Sequence, residues 1–482
     1  MLDCRTQQLI AGEWRAAASG REAEVIDPAT EQPIATVPFG NADDTEHALD
    51  AAAEAFPTWS GKTVYQRGDL LRAAAAKLRE RRDALAAITT AESGKPIAES
   101  KGEWTVVADL FDWFAEEARR AYGRTIPAKL PGRRLMTLQQ PLGVVGVITA
   151  WNFPAYNPAR SIAAALAAGC TVVCRPSDET PLSAFAIGEA LKDVGLPSGV
   201  LNIINGEPAA MAEAMMDDPR CRKVSFTGST EVGRLLIRQS AGTITGLSLE
   251  LGGNAPVIVE PDVIETNGVE AFAKAAVLAR FRNAGQVCVA PQRFYVHLNV
   301  CEDFLQAAAP IVSAYRVGPG SDPNSDIGPL ISARQRERVE SLLTSAKGAR
   351  VIAGGERPDD HDAGYFFKPT LVGDVPTDSP LWREETFGPV LAVTPYDNFD
   401  QVIADANSLE AGLAAFVFTK DLDRAVHAYE QLDYGMVAVN GWVPHATEGP
   451  FVGHKQSGLG AESGLEGLRE YLETKLVSVF AS

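Results

Sequence analysis

From Pro141 onward the chain is punctuated by short apolar runs, each followed by a segment of helical period, and few folds accommodate that arrangement. A run at 144–149 precedes a helix-period segment at 158–168, then a run at 171–174, a helix at 182–194 and a run at 200–204. The alternation continues through 207–217, 223–226, 231–239 and 247–251. Strands that are apolar on both faces must be covered on both, so this pattern predicts a parallel, doubly wound α/β sheet. A second alternating region holds a strand at 256–260, a helix at 269–283, a strand at 293–296 and a helix at 302–314. Later strands are expected at 351–353, 390–395, 415–418 and 436–440. With 482 residues the chain is also too long for one ordinary core, and two or three domains are expected.

The part before Pro141 reads as helical. Segments 43–56 and 67–90 are Ala-rich, and 101–121 carries a stripe of Trp104, Phe111 and Phe114 that reads as core. Residues 123–140 contain Pro127, Pro131 and Gly132 and fit an extended excursion or hairpin arm. The last segment, 468–480, reads as a short helix and then a strand with Leu476, Val477, Val479 and Phe480. An apolar strand at a chain end seeks a partner edge, so subunit association is expected. The longest apolar run, 143–150, is far below the roughly 20 residues a membrane helix needs. The first residues show no basic segment followed by an apolar one, so no secretory signal is expected and the cytoplasm is the expected location. A formal charge of −18 argues against a nucleic-acid partner, because phosphate neutralisation needs clustered Lys and Arg. The cysteines at 4, 170, 174, 221, 288 and 301 lack paired Cys-x-x-Cys spacing, so no metal site is expected. Cys170 and Cys174 flank an apolar run and read as buried packing residues.

Four segments carry residues with chemical potential. Phe226-Thr227-Gly228-Ser229-Thr230-Glu231-Val232-Gly233 joins a strand to a helix and matches neither a G-x-G-x-x-G fingerprint nor a P-loop. It can present backbone N–H groups to a pyrophosphate at a helix N-terminus, or be an ordinary capped helix start. Asn283-Ala284-Gly285-Gln286-Val287-Cys288 places a cysteine after a glycine-containing turn, where a thiolate nucleophile or a structural thiol would serve. Leu249-Glu250-Leu251-Gly252-Gly253-Asn254 puts a carboxylate at an apolar strand end. There a raised pKa would make it a general base, unless it faces solvent. Trp151-Asn152-Phe153-Pro154 closes the first long strand and sets an amide where it can donate to a developing oxyanion.

Taken in their order along the chain, the four segments resemble the NAD(P)-dependent aldehyde dehydrogenase superfamily. The resemblance runs from Asp27-Pro28-Ala29-Thr30 to Glu470-Tyr471-Leu472-Glu473 and includes Pro141-Leu142-Gly143, the stretch 195–202, Glu384-Glu385-Thr386-Phe387-Gly388-Pro389 and Lys455-Gln456-Ser457-Gly458-Leu459-Gly460. It implies a Rossmann-type cofactor domain over 1–123 and 143–249, an α/β catalytic domain over 250–441, and an oligomerisation arm with the C-terminal segment over 124–142 and 442–482. Cys288 resembles the nucleophile, Glu250 the base that activates the deacylating water, and Asn152 with the Cys288 N–H the oxyanion hole. Glu385 and Phe387 match positions beside the nicotinamide and its ribose, and Gly228 and Ser229 match pyrophosphate contacts. Thr149, Trp151, Arg175, Ser177, Asp178, Gly206, Val232 and Leu251 match further dinucleotide positions. Arg175 stands where the family usually has Lys, and Asp178 would repel a 2′-phosphate, so NAD is favoured with NADP possible. The spacing from Glu250 to Cys288 is a few residues longer than usual, with the surplus near 263–268. A homodimer or homotetramer is implied.

Within the superfamily the chain most resembles the succinate-semialdehyde dehydrogenases. Arg160 and Arg282 match two arginines that bind the substrate's distal carboxylate, where guanidinium groups give bidentate, charge-assisted bonds. Ala290 stands where a second cysteine is usual, so no redox-switch disulfide is available at that point. His445 or Thr447 would replace the serine usually offered to the carboxylate. Tyr156 and Trp442 keep open an aromatic aldehyde as substrate, and a CoA-acylating dehydrogenase is a remoter alternative because such relatives lack the base at Glu250.

Overall fold

A computed structural model of the chain describes residues 4–480. The first alternating run becomes Val144–Ile148, buried at every position and in the middle of an eight-stranded sheet. On one side it pairs in parallel with Thr171–Arg175 and then Leu201–Ile203, and on the other with Cys221–Thr227 and then Gly246–Glu250. The strand order reverses beside Val144–Ile148. Loops leaving the carboxyl ends of Val144–Ile148 and Cys221–Thr227 therefore turn to opposite faces and open a crevice, the place where such sheets bind ligands. Short antiparallel strands finish the edges: Gln8–Ile10 and Glu13–Arg15 at one, Gly458–Leu459 at the other.

A second sheet has seven strands in the order Arg350–Ala353, Thr370–Gly373, Val390–Tyr396, Pro291–His297, Ala255–Val259, Ala414–Phe418, Met436–Val439. All its pairs are parallel except the first. Gly246–Glu250 ends the first sheet and Ala255–Val259 begins in the second. Leu251 to Asn254 thus bridge the two sheets. The extended excursion is a hairpin arm, Thr125–Ile126 with Arg133–Pro141, and the C-terminal strand Leu472–Phe480 pairs with Arg133–Pro141 along its whole length. Among the described residues no helix is long and apolar enough to cross a membrane.

Several elements differ from expectation. The chain opens with strands, including the hairpin Glu22–Asp27 with Gln32–Pro38, whose faces are too unevenly buried to give a clean alternation. The helix expected over 67–90 is two, Val64–Glu80 and Arg82–Ser93, broken at Arg81, whose guanidinium reaches Glu189 at 2.8 Å. The helix expected at 101–121 runs Ile97–Glu117, one turn earlier. The surplus near 263–268 is a short helix, Pro261–Asn267. The helix expected at 269–283 stops at Phe281, because Asn283 and Ala284 adopt left-handed backbone. The last helix is Gly464–Arg469, ahead of the position expected.

Candidate active site

Three segments converge where the strand order reverses. The loop after Val144–Ile148 carries Asn152, which is buried and enclosed by hydrogen bonds. Its backbone carbonyl accepts from Lys95 Nζ and from Asn283 Nδ2, both at 2.9 Å. Its side-chain Nδ2 donates to the Gln286 carbonyl at 3.1 Å, and its Oδ1 accepts from Asn157 Nδ2 at 3.0 Å. Lys95 is itself buried against Glu103 at 2.5 Å, and Glu103 also accepts from the N–H groups of Ala155 and Tyr156. A charge this deep is tolerated only because it is paired and hydrogen-bonded.

The second segment, 282–288, is held in an unusual shape. Asn283, Ala284 and Gly285 have φ of 49°, 53° and 72°, three left-handed residues in succession. Such backbone persists where its surroundings over-determine it. Glu99 accepts from the Asn283 N–H at 2.8 Å, Gln286 Oε1 accepts from the Ile331 N–H at 3.0 Å, and the buried Arg280 guanidinium donates to the carbonyls of Gly388 and Val390. The result is a half-buried Cys288. The third segment is the Gly252-Gly253 bridge. A Cβ on Gly253 would collide with the Cys288 carbonyl, and one on Gly252 would meet the Glu385 carboxylate at 2.7 Å. Gly253, which meets backbone, must lack a side chain for the segments to close, whereas one at Gly252 would displace the Glu385 carboxylate.

Glu250 ends its strand in a buried position, and its Oε2 has no hydrogen-bond partner. Burial drives its carboxyl well above the ordinary carboxylate range, with Glu462 adding to the rise and Arg160 opposing it. Burial, and then the neighbouring Glu250, push the Cys288 thiol up to about 12, while Arg160 draws it down. The resting sulfur is therefore protonated, and its attack on a carbonyl has to be coupled to loss of that proton to a neighbouring base.

On one side of Cys288 lies a cavity of about 410 Å³ whose walls include Phe153, Tyr156, Arg160, Arg282, His445 and Phe451. Arg160 is buried between the faces of Tyr156 (4.9 Å) and Phe451 (4.4 Å). One nitrogen stands 2.7 Å from Glu462, so its charge is balanced inside the protein. Its Nε and second terminal nitrogen have no partner and remain available as donors. Arg282 is exposed, with its guanidinium 5.1 Å from the Phe153 ring. His445 sits against Phe451, and burial, reinforced by Arg282 and Arg160, holds it down to about 4. Its ring is neutral at physiological pH.

Some of the residues expected to hold a dinucleotide keep unpartnered polar atoms. Thr149 presents a buried hydroxyl with no partner, and Arg175 an unpartnered Nε. Another Arg175 nitrogen donates to Asp178 at 2.8 Å and to the Gly206 carbonyl at 2.9 Å. Glu385 accepts from the Gly253 N–H at 3.0 Å, and burial lifts its carboxyl to about 7. Phe387, itself left-handed, meets Trp151 edge-on at 5.3 Å. The Gly228 N–H is already donated to the Glu250 carbonyl, and Ser229 accepts from the Val232 N–H as the cap of Thr230–Ser240. Ser177 likewise accepts from the Glu179 N–H. Gly206 packs against Gly40 with no room for a Cβ, and Leu251 closes against Gly233. The unpartnered Thr149 hydroxyl and Arg175 Nε are donors of the kind that an anionic, hydroxylated ligand of dinucleotide type would use.

Residues that sequence reasoning passed over include Lys95, Glu99, Glu103, Asn157 and Glu462. A usable signal existed for two of them: Glu99 and Glu103 are four apart on a helix otherwise buried by aromatics, and carboxylates on such a face must have partners.

The family model described as the aldehyde dehydrogenase family matches residues 14–477. The chain is 42% identical to the succinate-semialdehyde dehydrogenase [NADP(+)] GabD of Escherichia coli, over 98% of each chain. It is 41% identical to the succinate semialdehyde dehydrogenase of Acinetobacter baylyi, over 98% of this chain and 97% of that one. Among solved structures, the betaine aldehyde dehydrogenase of Staphylococcus aureus in complex with NAD+ superposes with a TM-score of 0.96 at 36% identity, covering 99% and 95% of the two chains.

Proposed function

The chain belongs to the aldehyde dehydrogenase family, and from that premise we propose that it oxidises a short aldehyde with a distal carboxylate, succinate semialdehyde or a close analogue, using Cys288 as covalent nucleophile. The observation that carries this reading is the cavity in which the Cys288 thiol faces Arg160, Arg282 and His445. Its walls are largely apolar, and Arg160 and Arg282 set cationic donors among them. Two semialdehyde dehydrogenases among the relatives support the same substrate class.

Cys288 Sγ attacks the aldehyde carbon as its proton passes to the neighbouring Glu250, which releases it to solvent before deacylation, and the carbonyl oxygen becomes an oxyanion. Asn152 Nδ2 and the Cys288 N–H are the donors that receive it. A nicotinamide dinucleotide, when bound, would supply the hydride acceptor. The sulfur carries the carbon first as a thiohemiacetal and then, after hydride loss, as a thioester. Glu250 takes a proton from the water that attacks the thioester, and the carboxylate product leaves as the thiol is restored. In sum, aldehyde, water and oxidised dinucleotide give carboxylate, reduced dinucleotide and two protons. Glu250 in this position disfavours CoA as the acyl acceptor.

Thr149, Arg175, Asp178, Glu385 and Phe387 are the residues that would hold the dinucleotide, with NAD preferred over NADP. A carboxylate at Asp178 accepts a ribose hydroxyl and repels a 2′-phosphate. The protein is further proposed to work as a homodimer or homotetramer joined through the three-stranded arm. An aromatic aldehyde remains a second reading, supported by the Tyr156, Phe153 and Phe451 rings in the cavity.

The test is reduced-dinucleotide formation, followed by absorbance, against succinate semialdehyde, benzaldehyde and hexanal. Cys288→Ala should abolish turnover of all three. Arg282→Ala should lower kcat/KM for succinate semialdehyde by about 10- to 100-fold while leaving hexanal within about threefold, as loss of a charge-assisted bond predicts. A parent enzyme that prefers benzaldehyde to the semialdehyde overturns the substrate assignment.

A further inference from the structure

An oxyanion donor must present its N–H to the reacting oxygen, yet a primary amide is pseudo-symmetric, and a half-turn about its last torsion replaces the donor by an acceptor. In this chain the choice is made by a neighbour. Asn157, on the first turn of the buried helix Tyr156–Ala168, sends its Nδ2 to Asn152 Oδ1 at 3.0 Å in a buried contact. On the other side of the same amide, Asn152 Nδ2 donates to the Gln286 carbonyl at 3.1 Å. A flipped Asn152 would set its oxygen against the Gln286 carbonyl oxygen and its NH2 against the NH2 of Asn157. Both contacts would then be repulsive. The Asn152 backbone cannot relax to avoid them, because its carbonyl is fixed by Lys95 and Asn283. Nδ2 carries two hydrogens and only one is committed to Gln286, two residues before Cys288 in the chain.

We propose that Asn157 is a positioning residue for the oxidation reaction: by donating to Asn152 Oδ1 it fixes the amide orientation in which Asn152 offers its remaining N–H to the oxyanion formed at Cys288. The inference rests on the reading of Asn152 as an oxyanion donor. Asn157 itself is anchored independently of Asn152, through its N–H to the Phe153 carbonyl at 2.9 Å and a long contact from Nδ2 to the Ala150 carbonyl at 3.5 Å. The Ala150 contact holds Asn157 Nδ2 on the side that faces Asn152 Oδ1.

The test is a double-mutant cycle on the full enzyme, read as the single-turnover rate of reduced-dinucleotide formation with succinate semialdehyde. Asn157→Asp keeps the shape and turns the donor into an acceptor, whereas Asn157→Leu removes the donor at similar volume. With Asn152 intact, Asn157→Asp should slow the step by about 100-fold, the scale of losing one oxyanion donor, and Asn157→Leu should slow it less. KM for the dinucleotide should stay unchanged in both. In the Asn152→Ala background each second substitution should cost less than about twofold, since no amide remains to be oriented. Equal costs in the two backgrounds, or Leu more damaging than Asp, would show that Asn157 only supports packing and would overturn the proposal. If Asn152→Ala alone is harmless, the oxyanion assignment fails and the inference falls with it. If the Asp variant does not fold, the Leu variant measured in both backgrounds decides the matter by the same comparison.

Discussion

Arg175 donates both to Asp178 and to the Gly206 carbonyl, so its charge is partly spent before any ligand arrives, while the Asp178 side chain remains 43% exposed. A 2′-phosphate placed there meets an accessible carboxylate first. Asp178→Ser should therefore raise kcat/KM for NADP relative to NAD by about tenfold or more, equivalent to ~1.4 kcal/mol of relieved repulsion. Steady-state rates with the two dinucleotides check this, and an unchanged ratio would return the discrimination to another residue. A different single residue sets an acid limit. His445 is held down to about 4 from an ordinary 6.5, so the folded protein keeps the ring neutral and the unfolded chain protonates first. Its contribution to stability is whole above pH 6.5 and is lost as pH falls toward about 4. His445→Gln cannot protonate, so its Tm should gain on the parent progressively across that window. A difference in Tm that does not vary with pH would contradict the argument. Cys288, Glu250 and Asn152 were legible because each stands beside a strand boundary and a turn of distinctive composition. Asn157 and Glu462 were not, because a lone amide or carboxylate in sequence carries no sign of the atom it will face.

At the scale of elements, the helix Ile97–Glu117 does more than fill the core. Its first two turns hold Glu99 against the Asn283 N–H and Glu103 against Lys95 and the N–H groups that start Tyr156–Ala168. The same helix thus braces both loops of the site. Its aromatic face was plain from sequence, but the turn that carries Glu99 was not, since Gly94-Lys95-Pro96 gives no capping residue. Glu103→Leu should be costly despite its apolar setting, because it strands Lys95 as an unpaired buried charge. Breaking a pair of this kind costs about 3–5 kcal/mol. The expected result is a marked fall in the urea midpoint, together with faster amide hydrogen exchange at Ala155 and Tyr156. Removing both charges, in Lys95→Met with Glu103→Leu, should recover part of the loss. If the double variant is no more stable than the single one, the ion pair is not the source of the cost. The sheets themselves were legible because strands buried on both faces must be apolar throughout. The break at Arg81 and the left-handed turn at Asn283 were hidden because side-chain partners far along the chain impose them.

For the whole molecule, the question is what covers the arm. Leu472–Phe480 is bonded to Arg133–Pro141 along one edge, and among the described residues no strand pairs with its other edge. Leu138, Leu476, Val479 and Phe480 are exposed, the last two of the C-terminal strand's apolar side chains by 44% and 64%. A strand with an open edge and apolar side chains is a liability for a monomer and an asset for an oligomer. The root of the arm is no loose tether. The Tyr471 carbonyl accepts from the Leu142 N–H, and Tyr471 is buried in the same core as the helix that carries Arg160. Subunits joined through the arm would hold that root from outside as the core holds it from within. Leu476→Lys combined with Phe480→Lys should therefore do two things. In sedimentation velocity at micromolar concentration the parent should run as a dimer or larger and the variant as a monomer. The variant's thermal midpoint should also become independent of protein concentration, while the parent's rises with it, as mass action requires. A parent that sediments as a monomer, or a variant that keeps the parent's mass, would mean that the arm is not the joining surface.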